Sequence, residues 1–136
     1  MANRMNEVFT GRCLCGAVTY RCGAPVTAPC FCHCESCRRA SGSHVVAWAT
    51  VERSKFQIVT GVMRSHVSSP PVLRQFCAQC GTPIAYSNEQ WPHTIDITIA
   101  TLDEPSSMQP VEHIWMADAV DWDRPRDGLP QFERSR

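Results

Sequence analysis

A chain of 136 residues, 43% apolar and 19% charged, is long enough for one globular domain with a modest core and too apolar to be disordered. Thirteen lysines and arginines balance thirteen aspartates and glutamates, which leaves out the cationic footprint of a nucleic-acid binder. The longest apolar run, VVAWA at 45–49, is far short of a bilayer span, and the N-terminal MANRMNEVFTGRC lacks the apolar stretch of a secretory signal.

In chain order, AVTYRC (17–22) alternates loosely and is rich in β-forming side chains, so it predicts a strand. CESCRRA (34–40) is the one segment that suggests a helical turn. HVVAWATV (44–51) and KFQIVT (55–60) predict two further strands around a short polar turn. VLRQF (72–76) runs directly into CAQCG, and TPIAYS (82–87) returns from it. TIDITIA (94–100) is the plainest strand, with Ile95, Ile97 and Ile99 on one face and Asp96 and Thr98 on the other. EHIWM (112–116) is a weaker candidate. SSPP (68–71), EPSSMQP (104–110) and the tail DRPRDGLPQ read as turns and loops. The expectation is a mainly β fold with cysteines at the strand ends, in a single domain over 1–136.

Nine cysteines are an odd number, which argues against a complete disulfide framework and for thiols kept reduced, in a cytoplasmic protein that ligates metal. Cys13-x-Cys15 and Cys77-x-x-Cys80 each precede a glycine; Cys30-x-Cys32 and Cys34-x-x-Cys37 crowd into CFCHCESCRR. A CxxCG turn lets two sulfurs face one ion while backbone N–H groups point at the thiolates. A Cys-x-Cys pair on a strand does the same, because residues i and i+2 share a face. A closed structural zinc needs four such ligands.

Spacing does not say which pairs share an ion. Cys34/Cys37 with Cys77/Cys80 would make a ribbon with an unusually wide gap, and would leave Cys13, Cys15 and Cys32 without a role. Two metals are the more economical account, one in a closed site of two pairs and one held by Cys32, Cys34 and Cys37. Three protein ligands leave a tetrahedral ion one open position, the mark of a catalytic or substrate-binding zinc. Three thiolates on Zn²⁺ carry one net negative charge, which Arg38 or Arg39 could offset while holding a substrate carboxylate. His33, between two cysteines, would point away from their shared face on an extended segment. Cys22 reads as a small core residue.

GRCLCGAVTY, CHCESCRRASGS, RQFCAQCGTPI, the IATLD segment and DGLPQF together resemble the glutathione-dependent formaldehyde-activating enzyme family, which includes centromere protein V-like proteins. The likeness runs over about 11–133. It implies an Mss4-like β fold with two zinc ions. Carried over by position, Cys13, Cys15, Cys77 and Cys80 hold a structural zinc, and Cys32, Cys34 and Cys37 a catalytic one. Cys30 lies outside the motif, as a spare thiol or a redox partner. The implied reaction is that of a carbon–sulfur lyase acting on a small thiol adduct, glutathione with formaldehyde giving S-hydroxymethylglutathione. Two other functions fit the same cysteines: a zinc-stabilised binding module, and a thiol switch that exchanges disulfides and releases zinc on oxidation. A fourth protein ligand on the second ion would favour the module. Ser41, Ser43 and Trp48, close after the triplet, are candidates with Arg38 for polar or aromatic anchors of a substrate.

Overall fold

The computed structural model describes residues 6–135, so Met1–Met5 of the N-terminal stretch and Arg136 lie outside it. Its elements are β1 (Phe9–Arg12), β2 (Thr19–Cys22), β3 (Cys30–Cys32), α1 (Glu35–Ser41), β4 (Val46–Glu52), β5 (Phe56–Thr60), β6 (Met63–Ser69), β7 (Val72–Cys77), β8 (Pro83–Asn88), β9 (Thr94–Thr98) and β10 (Glu112–Ile114), with short 3₁₀ turns between some of them. The mainly β expectation is met. The strands form a three-stranded sheet in the order β1-β2-β5 and a seven-stranded sheet in the order β10-β3-β4-β9-β8-β7-β6. Every pairing is antiparallel except β10 with β3.

Burial explains the local patterns. Ile95 and Ile97 of β9 and Ile99 of the following turn are buried together with Val18 just before β2, Tyr20 and Cys22 of β2, Ala49 and Val51 of β4, and Ile84 of β8. Residues of both sheets thus join in one core, and Cys22 is part of it as expected. The β4 sequence reads as a continuous apolar run because both faces of this central strand are covered. Ala49 and Val51 face the main core, while Trp48 faces a second cluster with Cys30, Cys32 and Cys37.

The second cluster is closed by α1. Cys34 is the N-cap, its sulfur accepting from the Cys37 N–H at 3.3 Å, and Gly42 ends the helix in a left-handed conformation (φ 73°) with its N–H on the Arg38 carbonyl. The chain's end adds a cover that the turn-rich sequence of the tail did not announce. His113 and Met116 donate backbone N–H bonds to the carbonyls of Pro130 and Phe132, and Phe132 donates to His113. No helix among the described residues is long and apolar enough to cross a membrane.

Candidate metal centres

The β1–β2 and β7–β8 turns are built alike. Gly16 donates its N–H to the Cys13 carbonyl (3.2 Å) and Gly81 to the Cys77 carbonyl (2.9 Å). Both glycines have positive φ, 80° and 81°, which a side chain would resist. The strand continuing from each turn is tied back by Cys13 N–H to the Val18 carbonyl and Cys77 N–H to the Thr82 carbonyl, both 3.0 Å. Each turn aims backbone N–H groups at sulfur: Val18 at Cys13 Sγ (3.3 Å), and Gln79 and Cys80 at Cys77 Sγ (3.3 and 3.4 Å).

The two turns bring Cys13, Cys15, Cys77 and Cys80 together, with all four sulfurs within 4.8 Å of one another. The Cys13–Cys15 and Cys15–Cys77 sulfurs lie 3.6 and 3.9 Å apart. Four sulfurs about 2.3 Å from a tetrahedral zinc sit about 3.8 Å from each other, so the donor set and its spacing fit such an ion. Electrostatics favour thiolate at two of the four. Hydrogen bonds from the Thr82 hydroxyl and backbone N–H bring Cys80 down to about 5. At Cys13 burial pushes the thiol up, but the Val18 N–H and the Cys15 and Cys77 thiols outweigh it and the net shift is downward.

The second group forms where β3 meets α1. Cys32, Cys34 and Cys37 also place their sulfurs within 4.8 Å of one another, and no fourth Cys, His, Asp or Glu joins them among the described residues. Cys30 projects to the same side of β3 and is buried beside them, yet stands outside the group. Cys37 is brought down to about 2, first by the thiols of Cys32 and Cys34 and then, against burial, by the Arg74 guanidinium. Cys32 is pushed up by the thiols of Cys34 and Cys37 and by burial. A buried sulfur held as thiolate beside a cation, with two further sulfurs converging on it, fits a soft ion with one position left over.

Arg74 is the residue that sequence reasoning missed. It stands on β7 with Nη1 and Nη2 each 3.8 Å from Cys37 Sγ, Nε on the Ser68 hydroxyl (3.3 Å), and its plane over the Tyr86 ring at 5.2 Å. A cavity of about 80 Å³ opens between α1, β4, β7 and β8, lined by Cys37, Ser41, Trp48, Arg74 and Phe76 among others. Ser41 and Trp48, two of the candidate anchors named from the sequence, line this cavity. The two arginines next to the triplet behave differently. Arg39 pairs with Glu35 one turn back on the exposed helix face (3.0 Å), whereas Arg38 buries its Nε with no hydrogen-bond partner. Ser43 turns back on the Val45 carbonyl.

His33 is no member of the triplet. It is buried, and its Nε2 lies 2.9 Å from His113 Nδ1, whose Nε2 in turn reaches Asp127 at 2.8 Å. Phe31 stacks on the His113 ring at 4.8 Å. This chain pins the C-terminal cover to β10 and β3.

The sequence profile of the glutathione-dependent formaldehyde-activating enzyme family matches residues 8–118. The chain belongs to that family. Both cysteine groups fall within the matched region. A protein of Schizosaccharomyces pombe described as an uncharacterized lyase is 30% identical over 90 residues, a match that spans 65% of this chain and 65% of that protein. The fold is shared with a crystal structure of a Rhodobacter sphaeroides protein at a TM-score of 0.60 and 20% identity, over 90% of this chain and 98% of the other. Family membership and two metal-competent cysteine groups thus stand together.

Proposed function

We propose that this protein is a two-zinc enzyme of the carbon–sulfur lyase type, making or breaking the bond between a small thiol, glutathione in the family's named reaction, and a carbonyl compound such as formaldehyde. The observation that carries this reading is the three-thiol group with no fourth protein donor among the described residues, one of whose sulfurs, Cys37, lines a cavity. Cys13, Cys15, Cys77 and Cys80 would hold the structural zinc, and Cys32, Cys34 and Cys37 the catalytic one. Zinc at the triplet, when bound, supplies a position for a substrate sulfur and lowers that sulfur's pKa.

The chain's own residues then have distinct tasks. The Cys37 N–H bond to Cys34 Sγ and the capping position of Cys34 fix the triplet's geometry. Arg74 offsets the excess negative charge of three thiolates. Trp48 and Phe76 wall the cavity with apolar surface, which keeps water from competing with the thiol for the carbonyl carbon. The net change balances without an oxidant: the S–H bond and the carbonyl π bond are lost, a C–S bond forms, and the oxygen takes the proton. Keeping nine thiols reduced suits a cytoplasmic setting.

The test is substitution of the triplet site with cobalt. Glutathione entering the open position should shift the thiolate-to-cobalt and d–d absorption bands, and a proton NMR assay with formaldehyde should show S-hydroxymethylglutathione forming faster than without protein. Bands that stay unmoved at millimolar glutathione would remove glutathione as the ligand.

A further inference from the structure

The cavity beside Cys37 has a chemistry that a neutral one-carbon aldehyde does not use. Among the described residues, Arg74 brings the only cationic side chain to its lining, and no carboxylate lines it. A guanidinium carries five N–H donors. The recorded partners of Arg74 are the Ser68 hydroxyl, the Cys37 sulfur at 3.8 Å and an aromatic ring, none of them a carboxylate. Those contacts engage Nε–H and one hydrogen on each terminal nitrogen, which leaves one further N–H on each of Nη1 and Nη2, on opposite edges of the guanidinium. In the strand row across the sheet, Arg74 faces Tyr86 and Tyr86 faces Asp96. Asp96 thus sits two strands away, about 10 Å in the sheet plane, and accepts from the Thr50 hydroxyl at 2.6 Å.

The polar groups around Arg74 have other engagements. Ser41 Oγ donates to the Cys37 carbonyl (2.8 Å), Thr98 Oγ1 to the Pro83 carbonyl (2.9 Å), and Gln75 Nε2 to the Ser65 hydroxyl (3.4 Å). Size narrows the ligand further. About 80 Å³ is well below the roughly 300 Å³ at which drug-sized pockets begin. A tripeptide thiol must therefore present its sulfur from outside, while the cavity takes the small partner.

We infer that the cavity binds a small carbonyl compound that carries its own carboxylate, a 2-oxo acid of about two or three carbons, with Arg74 as the anchor of the carboxylate. A remaining Nη–H can donate a charge-assisted hydrogen bond to one carboxylate oxygen, in a cavity that Cys37 also lines. As chemistry, this rests on the thiol-plus-carbonyl reading above: the thiol loses its proton, sulfur bonds to the carbonyl carbon, and the carbonyl oxygen becomes the hydroxyl of a hemithioacetal acid. As binding, it stands on the cavity alone.

The experiment is a calorimetric titration of the purified, metal-containing protein with oxamate, an unreactive 2-oxo acid analogue, and with glycolamide, an uncharged molecule of similar size. Oxamate should bind saturably and about tenfold or more tighter than glycolamide. Arg74→Met should abolish that preference, and Arg74→Lys should retain part of it, with zinc content and Tm measured for each variant. Oxamate bound no tighter than glycolamide, or equally well by Arg74→Met, overturns the proposal. If Arg74→Met does not fold, phenylglyoxal labelling of the wild-type protein decides: oxamate should protect Arg74 and leave exposed arginines such as Arg39 reactive, and an unprotected Arg74 overturns it. Cobalt bands that respond to glutathione while oxamate fails to bind would remove the anion site alone. Arg74-dependent oxamate binding with unmoved cobalt bands would remove the thiol reading and keep the site.

Discussion

At the scale of single residues, the cysteines divide by what each loss would do. Cys34→Ser should reduce zinc from two equivalents per chain to one, by elemental analysis of reduced protein, with little change in Tm, because the main core does not include it. Cys77→Ser should also cost one equivalent but should lower stability by on the order of 3 kcal/mol or more, since Cys77 is wholly buried and ties two turns together. Cys30→Ala should leave both equivalents in place; a lost equivalent would make Cys30 the missing ligand of the triplet. The cysteine pairs and the triplet were legible because metal ligands within one turn are forced into short, recognisable spacings, whereas which pairs share a site came from the family resemblance and not from spacing. Arg74 was not, since its approach to Cys37 Sγ depends on the docking of α1 against β7, across 37 residues of chain. The adjacent arginines were the more visible guess, and helix geometry turned Arg39 outward to Glu35.

At the scale of elements, the strands that could be read were those with one or both faces in the main core. The seven sequence expectations find counterparts in β2, β4, β5, β7, β8, β9 and β10, with ends shifted by a few residues. TIDITIA held its three isoleucines in the core although Ile99 has already left the strand for a 3₁₀ turn. Three strands escaped notice for different reasons. β3 has three residues and is held by partners on both sides, so no alternation can show. β6 is an exposed edge strand of mostly polar residues, ordered by its ladder with β7 rather than by burial. β1 is short and half exposed. EHIWM was overextended, because Trp115 takes a left-handed conformation (φ 59°) that ends β10. The β5–β6 turn is the element most exposed to a point change. Gly61 has φ 85°, and a Cβ there would strike the Ala17 carbonyl. Gly61→Ala should therefore cost about 1–3 kcal/mol in urea unfolding, and a neutral result would mean that the turn relaxes without strain.

At the scale of the whole molecule, the C-terminal segment is held by ionisable contacts: Asp118 on the Glu35 N–H, Asp123 on His44 and Asp127 on His113. The hydrogen bond from His113, with the Leu129 N–H, holds the Asp127 carboxyl below its ordinary value. A depressed folded-state pKa contributes stability above the unfolded value of about 3.9 and loses it as pH falls through the folded one. Asp127→Asn should accordingly lower Tm at pH 7, with the deficit closing toward pH 3; a deficit independent of pH would place the effect in packing. The two cysteine groups also differ in the span of chain they join. One lies within six residues, whereas the other links Cys13 and Cys15 to Cys77 and Cys80 and so closes a ring through half of the sequence. That difference sets a schedule during synthesis. The ribosome delivers Cys32, Cys34 and Cys37 about 40 residues before Cys77, roughly 2–8 s at ordinary elongation rates. Through that interval the nascent chain offers a complete three-thiol chelator before β7 exists to cover it, so the ion that arrives first is chosen by what surrounds the ribosome rather than by the finished fold.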